Sequence, residues 1–401
     1  MSKRQSSFVL VVSPNGTATV AKRQKIPDKF VFVVSPNGTA TVAKCQKIPD
    51  KSLDDLPDEV LLKVFANLAK PCSLKDLVRS SHVSKRIRRV CHDESLWPKI
   101  NLFKKYIPAE FIKQILQNGC IYLSLCDAKV KGHTIKMLNE KSQLRYLDLS
   151  NFKNEVFVGE LLESCHFLEK LSLKYSTFSS AMMMNLNSGY LNFDNLEVLD
   201  MTGCKGLDMG TIRQIVMFEN LSEINFSWPP TGGGLSTAMI GYLVKNISIH
   251  LRKISLNSQI NVRNEHIATL VTRCNEIREL QLFGDFGITN NSLDIIMKGL
   301  HKLEKLDISL TQIDLTKILE LRSMPELHNL NCQHVETIGD IKKLKKILPH
   351  LIINQERFKI ADRSQTLKPE QGFWDVQAEA VQDMFAVNEQ EQHGINLGGT
   401  Y

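Results

Sequence analysis

The sequence predicts a mixed α/β chain: a small three-helix unit, then a curved repeat solenoid with a parallel sheet inside and helices outside. Three observations carry this. A Leu-x-x-Leu-x-Leu template, with apolar substitutes at the anchors, recurs ten times between Leu123 and Ile353. The stretches between copies repeat their apolar residues at helical spacing, as in Ile267, Leu270, Val271 and Cys274, or Leu293, Ile296, Met297 and Leu300. Ahead of the array, three short amphipathic stretches lie within residues 52–98.

The 401 residues carry 43% hydrophobic side chains, which is ordinary for a globular chain. No apolar run is long enough to span a bilayer, so no membrane partner is expected. Nine scattered cysteines without a Cys-x-x-Cys pair suit free thiols in a reducing compartment. The net charge of +7 sits entirely in residues 1–51, which hold nine basic and two acidic side chains; the remainder holds 41 of each. The body is therefore not expected to bind nucleic acid.

Residues 1–51 are a near-exact tandem duplication, Phe8–Lys29 and Phe30–Lys51. Pro, Gly, Asn and Lys interrupt each copy, so the arm is expected to be disordered or weakly extended. The three-helix unit follows. Pro57 is placed for a first helical residue, and Asp58 and Glu59 suit the positive end of the helix dipole. Leu61, Phe65 and Leu68 form one stripe with Leu62 beside it; Leu74, Leu77 and Val78 form a second; Val83, Ile87, Val90 and Cys91 a third. So small a unit needs a partner chain or a large neighbour to bury enough surface.

The array occupies 99–354. Its middle anchors, Leu123, Leu147, Leu171, Leu199, Ile224, Ile254, Leu280, Leu306, Leu330 and Leu351, lie 21 to 30 residues apart, a leucine-rich-repeat spacing. Strand alternation sends the residues between anchors outward, among them Asn257, Gln281, Phe283, Asp307 and Asn331. This wall is polar and mixed in sign, which suits a protein surface. Phe283 is either a binding anchor or covered by the tail, and Trp228 either a binding anchor or a packed aromatic between repeats. Cys165, Cys204 and Cys274 have the wrong spacing for a metal and read as core thiols. In the tail, 355–401, Phe373-Trp374 is an isolated aromatic pair, expected to fold back along the concave wall with Trp374 as its anchor. No nucleophile-elbow, zincin, Walker or kinase motif occurs, and neither a cofactor nor catalysis by this chain is expected.

The segment from Leu56-Pro57-Asp58-Glu59 through Leu61-Leu62-x-x-Phe65-x-x-Leu68 and Val83-Ser84-Lys85-Arg86 to Asp93-Glu94-Ser95-Leu96-Trp97 resembles an F-box. Ile87 stands where that family usually has Trp. With the repeats, including Leu147-Asp148-Leu149-Ser150-Asn151 and Leu199-Asp200-Met201-Thr202-Gly203-Cys204, the chain is similar to the F-box/leucine-rich-repeat proteins from about Leu53 to Trp374. The resemblance implies the substrate-recognition subunit of an SCF-type ubiquitin ligase. Its F-box would dock on S-phase kinase-associated protein 1, and through it on a cullin-1 scaffold, using Leu56, Pro57, Glu59, Leu61, Leu62, Phe65, Leu68, Leu77, Val83, Ile87 and Trp97. The solenoid would hold a protein substrate such as a cyclin-kinase inhibitor, phosphorylated or not, with or without a small cyclin-kinase regulatory subunit. The substrate-binding candidates are Trp228, Asn257, Gln281, Phe283, Asp307 and Asn331. Nuclear and cytoplasmic localisation is the matching expectation. Two other classes stay open: a repeat scaffold or inhibitor outside any ligase, and a nucleic-acid binder acting through the basic arm.

Overall fold

The computed structural model describes residues 56–68, 74–132, 142–177, 193–230, 234–333 and 338–354, and four short strands near the N-terminus. Each copy of the duplicated arm, expected to be disordered or weakly extended, contains a short antiparallel pair. Val9–Val12 pairs with Ala18–Ala21, and Val33–Val34 with Ala40–Thr41. Runs of β-branched residues in both partners account for the extended backbone.

The rest divides in sequence between Lys99 and Ile100 into two compact units. The first holds helices α1 (Asp58–Leu68), α2 (Leu74–Ser80) and α3 (Lys85–Cys91). Pro57 lies just before α1, and its carbonyl accepts from the N–H groups of Val60 and Leu61 at 3.0 and 3.1 Å. Ser84 caps α3, accepting the Ile87 N–H at 3.1 Å. Val83 falls in the turn before that cap and is 56% exposed, so it does not continue the Ile87, Val90 and Cys91 stripe.

The second unit is built on one sheet of eleven strands in sequence order. Neighbours run parallel from Tyr122–Ser124 to Ile352–Ile353. Two details differ from the sequence reading. An extra strand, Lys99–Asn101, begins the sheet, with Ile100 and Leu102 buried as anchors. Its first anchor position holds Trp97 in place of Leu, which hid the copy. At the other end Ile353, and not Leu351, pairs with Leu330. Leu351 is buried all the same, which made the two registers alike in sequence.

The anchors and the inward faces of the outer helices make the core. Ile267, Leu270, Leu293 and Ile296 are all fully buried. Asn154, Asp208, Ser236 and Asp314 cap four of the helices, each accepting from the backbone three residues on.

The strands are only two or three residues long, so the chain must turn immediately after each. Four residues beyond the middle anchor the backbone is left-handed at Lys104, Asp127, Asn151, Tyr175, Gly203, Trp228, Ser258, Gly284 and Leu310. Glycine fills this position in two copies only. At Gly203 the requirement is doubled, because a Cβ there would run into the ring of Tyr175, which holds the same position one repeat earlier. Gly203→Ala adds left-handed strain of about 1–2 kcal/mol to that overlap. We expect it to lower stability by about 2 kcal/mol or more, read as a shift of the urea unfolding midpoint of the full chain.

Candidate protein-binding surfaces

In the three-helix unit, five residues expected to face a partner pack inside the chain itself. Leu61, Phe65, Leu77, Ile87 and Trp97 are each at most 1% exposed. Ile87 thus fills core volume, and the Trp97 indole N–H donates to the Cys91 carbonyl at 2.7 Å. Leu56 and Leu62 are half-buried, Pro57 and Glu59 exposed; the Leu68 side chain lies outside the described residues. The apolar side chains this unit presents outward include Val60, 41% exposed, and Val83. The α1–α3 geometry is pinned by Asp58. Arg86 donates to one carboxylate oxygen at 2.6 Å and to the Leu56 carbonyl, and Arg89 to the other oxygen at 2.7 Å. The Arg86 hydrogen bond leads the effects that hold the Asp58 carboxyl below its usual range.

On the solenoid wall, several positions expected to point into solvent are buried. Asp148, Asp200 and Asp307 are 3, 6 and 3% exposed. Each accepts the N–H of the residue two further on, Ser150, Thr202 and Ser309, at 2.9–3.0 Å. Asn225 does the same for Ser227 at 2.8 Å. The donor lies just past the strand end, and the carboxylate or amide supplies its acceptor. The recurring Leu-Asp-Leu-Ser motif is therefore a strand terminator. Asn257 is likewise 2% exposed, accepting the Phe283 N–H at 2.9 Å and donating to Gln281 Oε1 at 3.1 Å. Gln281 and Asn331 are half-buried.

The charges of the wall are paired across strands. Lys253 meets Glu223 at 2.9 Å, Lys305 meets Glu279 at 3.6 Å, and Lys174 meets Asp200 at 3.2 Å. Apolar side chains collect along one rim. Trp228 is half-buried with its ring 5.1 Å from that of Phe283, which is 8% exposed. Trp228 is thus packed between repeats as well as open to solvent. Ile260 and Phe286 hold the same register position in adjoining repeats and are 61 and 62% exposed; Leu310, in the next, is 44% exposed. None of these three was singled out from the sequence. The signal was present as two apolar residues six beyond consecutive middle anchors. The Trp374 tail anchor lies outside the described residues.

Cys165, Cys204 and Cys274 are buried free thiols; Cys165 donates to the Leu161 carbonyl and Cys204 to that of Leu173, both at 3.1 Å. Burial pushes the Cys165 thiol up to about 12 and that of Cys274 to about 11. Among the described residues no group of His, Cys, Asp and Glu side chains is arranged to hold a metal ion.

A three-helix unit of this kind in one chain with a leucine-rich-repeat solenoid defines an F-box/leucine-rich-repeat protein. Comparison with known families gives the particular branch. The profile described as "SKP2 LRR domain" matches residues 110–381, and one described as "F-box-like" matches residues 53–102. The chain belongs to the family of the SKP2 leucine-rich-repeat domain, similar to S-phase kinase-associated protein 2. Solved structures with the same repeat architecture are distant. An internalin (inlF) from Listeria monocytogenes is 12% identical, covering 64% of this chain and 70% of its own, with a TM-score of 0.38. The leucine-rich-repeat protein LegL7 from Legionella pneumophila is 14% identical, covering 52% and 73%, with a TM-score of 0.36. The F-box together with an SKP2-type repeat domain supports a substrate-recognition role in SCF ligases, with the F-box binding S-phase kinase-associated protein 1-type partners. Proteins of this class are generally non-catalytic adaptors.

The thiols give a test that is independent of any partner. Because the thiolate is the reactive form, Cys165 and Cys274 are expected to resist alkylation at pH about 8 in the native protein. They should label readily in denaturant, as peptide mass spectrometry will show.

Proposed function

We propose that this chain recruits protein substrates to an SCF-type ubiquitin ligase. Its F-box would bind S-phase kinase-associated protein 1 and so reach a cullin-1 scaffold. The observation that carries the reading is the F-box and the SKP2-type repeat domain in one chain. The chain itself makes and breaks no bond in this reading; it contributes effective concentration and orientation. A cyclin-kinase inhibitor, phosphorylated or not, is the substrate class, a small cyclin-kinase regulatory subunit a candidate accessory, and nucleus and cytoplasm the expected compartments.

Burial sharpens which F-box residues can touch a partner. Leu61 and Phe65 support the unit from within, whereas Val60 and Val83 are open to a partner. The Leu61→Ala/Phe65→Ala variant is expected to destabilise the unit by about 4 kcal/mol or more and to lose the ligase core with it. Val60→Asp/Val83→Asp is expected to keep the helical circular dichroism and lose capture of S-phase kinase-associated protein 1 at least tenfold in a pull-down titration. Retained capture by both variants would end the F-box reading.

For the substrate we propose the C-terminal half of the wall and its rim. Gln281, Asn331 and Trp228 are partly open there, and Ile260, Phe286 and Leu310 add apolar area. Asn257, Asp307 and Phe283 lie beneath, shaping the surface. Interface anchors of this kind are typically worth about 2 kcal/mol or more each. Ile260→Asp/Phe286→Asp is therefore expected to abolish ubiquitination of a captured substrate, while Lys245→Glu on an outer helix leaves it unchanged. The reverse pattern would put the site on the outer face.

A further inference from the structure

One buried ionisable group has no role in either surface. Asp285 is fully buried, and no side chain hydrogen-bonds to its carboxyl; the Gln259 N–H is the backbone donor that bears on it. It lies five residues beyond the middle anchor Leu280. The side chains at that position in three other repeats donate to the third anchor carbonyl of the repeat before. Ser176 Oγ donates to the Leu149 carbonyl at 3.3 Å, Cys204 Sγ to Leu173 at 3.1 Å, and Gln259 Nε2 to Phe226 at 2.6 Å. By the period of the array, the carbonyl that corresponds for Asp285 is that of Leu256. The backbone confirms the neighbourhood: the Gln259 N–H, which bears on the Asp285 carboxyl, itself donates to the Leu256 carbonyl at 3.0 Å.

An ionised carboxylate has nothing to donate, and two oxygens facing a carbonyl dipole in a dry site repel it. A carboxylic acid supplies the one hydrogen the position requires. We propose that Asp285 is carried as the neutral acid in the folded solenoid and donates its hydroxyl hydrogen to the Leu256 carbonyl, making this part of the array sensitive to alkaline pH. Burial is the leading effect raising the carboxyl well above its usual range, and Asp307 on the next strand adds to it; the Gln259 N–H only partly opposes them. Two other charged groups on the flanking repeats are engaged elsewhere. Arg263 donates to the Ile260 and Val262 carbonyls, and Asp314 accepts from Thr316, Asn290 and the Lys317 N–H. Thr311, at the same position in the following repeat, carries no charge and departs from the pattern, donating to the Ile308 carbonyl of its own repeat at 2.6 Å.

The sign follows from the direction of the shift. The folded group holds its proton above the unfolded carboxyl's value of about 3.9, so its contribution is fully present below that pH. It is lost as pH rises toward the folded value, with the proton passing to solvent. Asp285→Asn keeps a donor and cannot ionise; Asp285→Ala removes both donor and charge.

Hydrogen exchange of the full-length chain, compared peptide by peptide from about pH 6 to about pH 9, tests this. Over the segments 254–256 and 280–282, wild-type protection relative to Asp285→Asn is expected to fall by up to about tenfold per pH unit. Asp285→Ala is expected to exchange faster than Asp285→Asn at every pH, by a constant factor. A second measurement needs no variant to fold: infrared or NMR spectra of wild-type chain with isotope-labelled aspartate should show one carboxyl still protonated at neutral pH. A wild-type to Asp285→Asn ratio that is flat with pH, or equal protection in Asp285→Ala and Asp285→Asn, overturns the proposal. So does a spectrum in which every aspartate is ionised.

Discussion

The solenoid depends on the parallel backbone ladder between strands of three residues or fewer. The first N–H beyond such a strand still reaches the next strand, but the second has no backbone acceptor there and would be left unpaired in a buried place. Asp148, Asp200, Asn225 and Asp307 supply the missing acceptor from within their own strands. The left-handed residue that follows then turns the chain toward the outer helix. Sheet, turn and helix are thus consecutive consequences of one short ladder, repeated along the array.

The same economy governs charge. The wall alternates Glu223, Lys253, Glu279 and Lys305 on four successive strands, with two cross-strand pairs among them. These pairs are partly exposed and individually stabilise little. Their effect is to cancel the field of the wall. The rim beside it presents the apolar side chains of Ile260, Phe286 and Leu310.

Most of the architecture was legible because leucine anchors repeat on a period that few other folds share. What was lost has specific physical reasons. The strand at Lys99–Asn101 was hidden by Trp97, whose indole also serves the first unit by bonding to Cys91. The register of Ile353 was hidden because Leu351, two residues earlier, is buried as well. Alternation sorted side chains onto the two faces of the sheet correctly, yet one face does not mean solvent. Adjacent parallel strands lie close enough for Asp148 to accept from both Ser150 and Ser124, and for Asn257 to reach Gln281. In the F-box unit Leu61 with Phe65, and Ile87 with Val90 and Cys91, were read as stripes, whereas Val83 falls outside its stripe; burial within the chain is a property of packing that periodicity does not encode. The basic arm read as disordered or weakly extended, and a short antiparallel pair forms in each copy.

The shortness of the strands has a consequence for what the inner wall can grip. At about 3.3 Å per residue a three-residue strand is about 10 Å tall. The ten strands from Tyr122 to Ile353, about 4.8 Å apart, run for about 43 Å. The inner surface is a narrow ribbon about four times longer than it is high. A ribbon of this aspect ratio cannot enclose a compact ligand. It suits an extended segment laid across the strands.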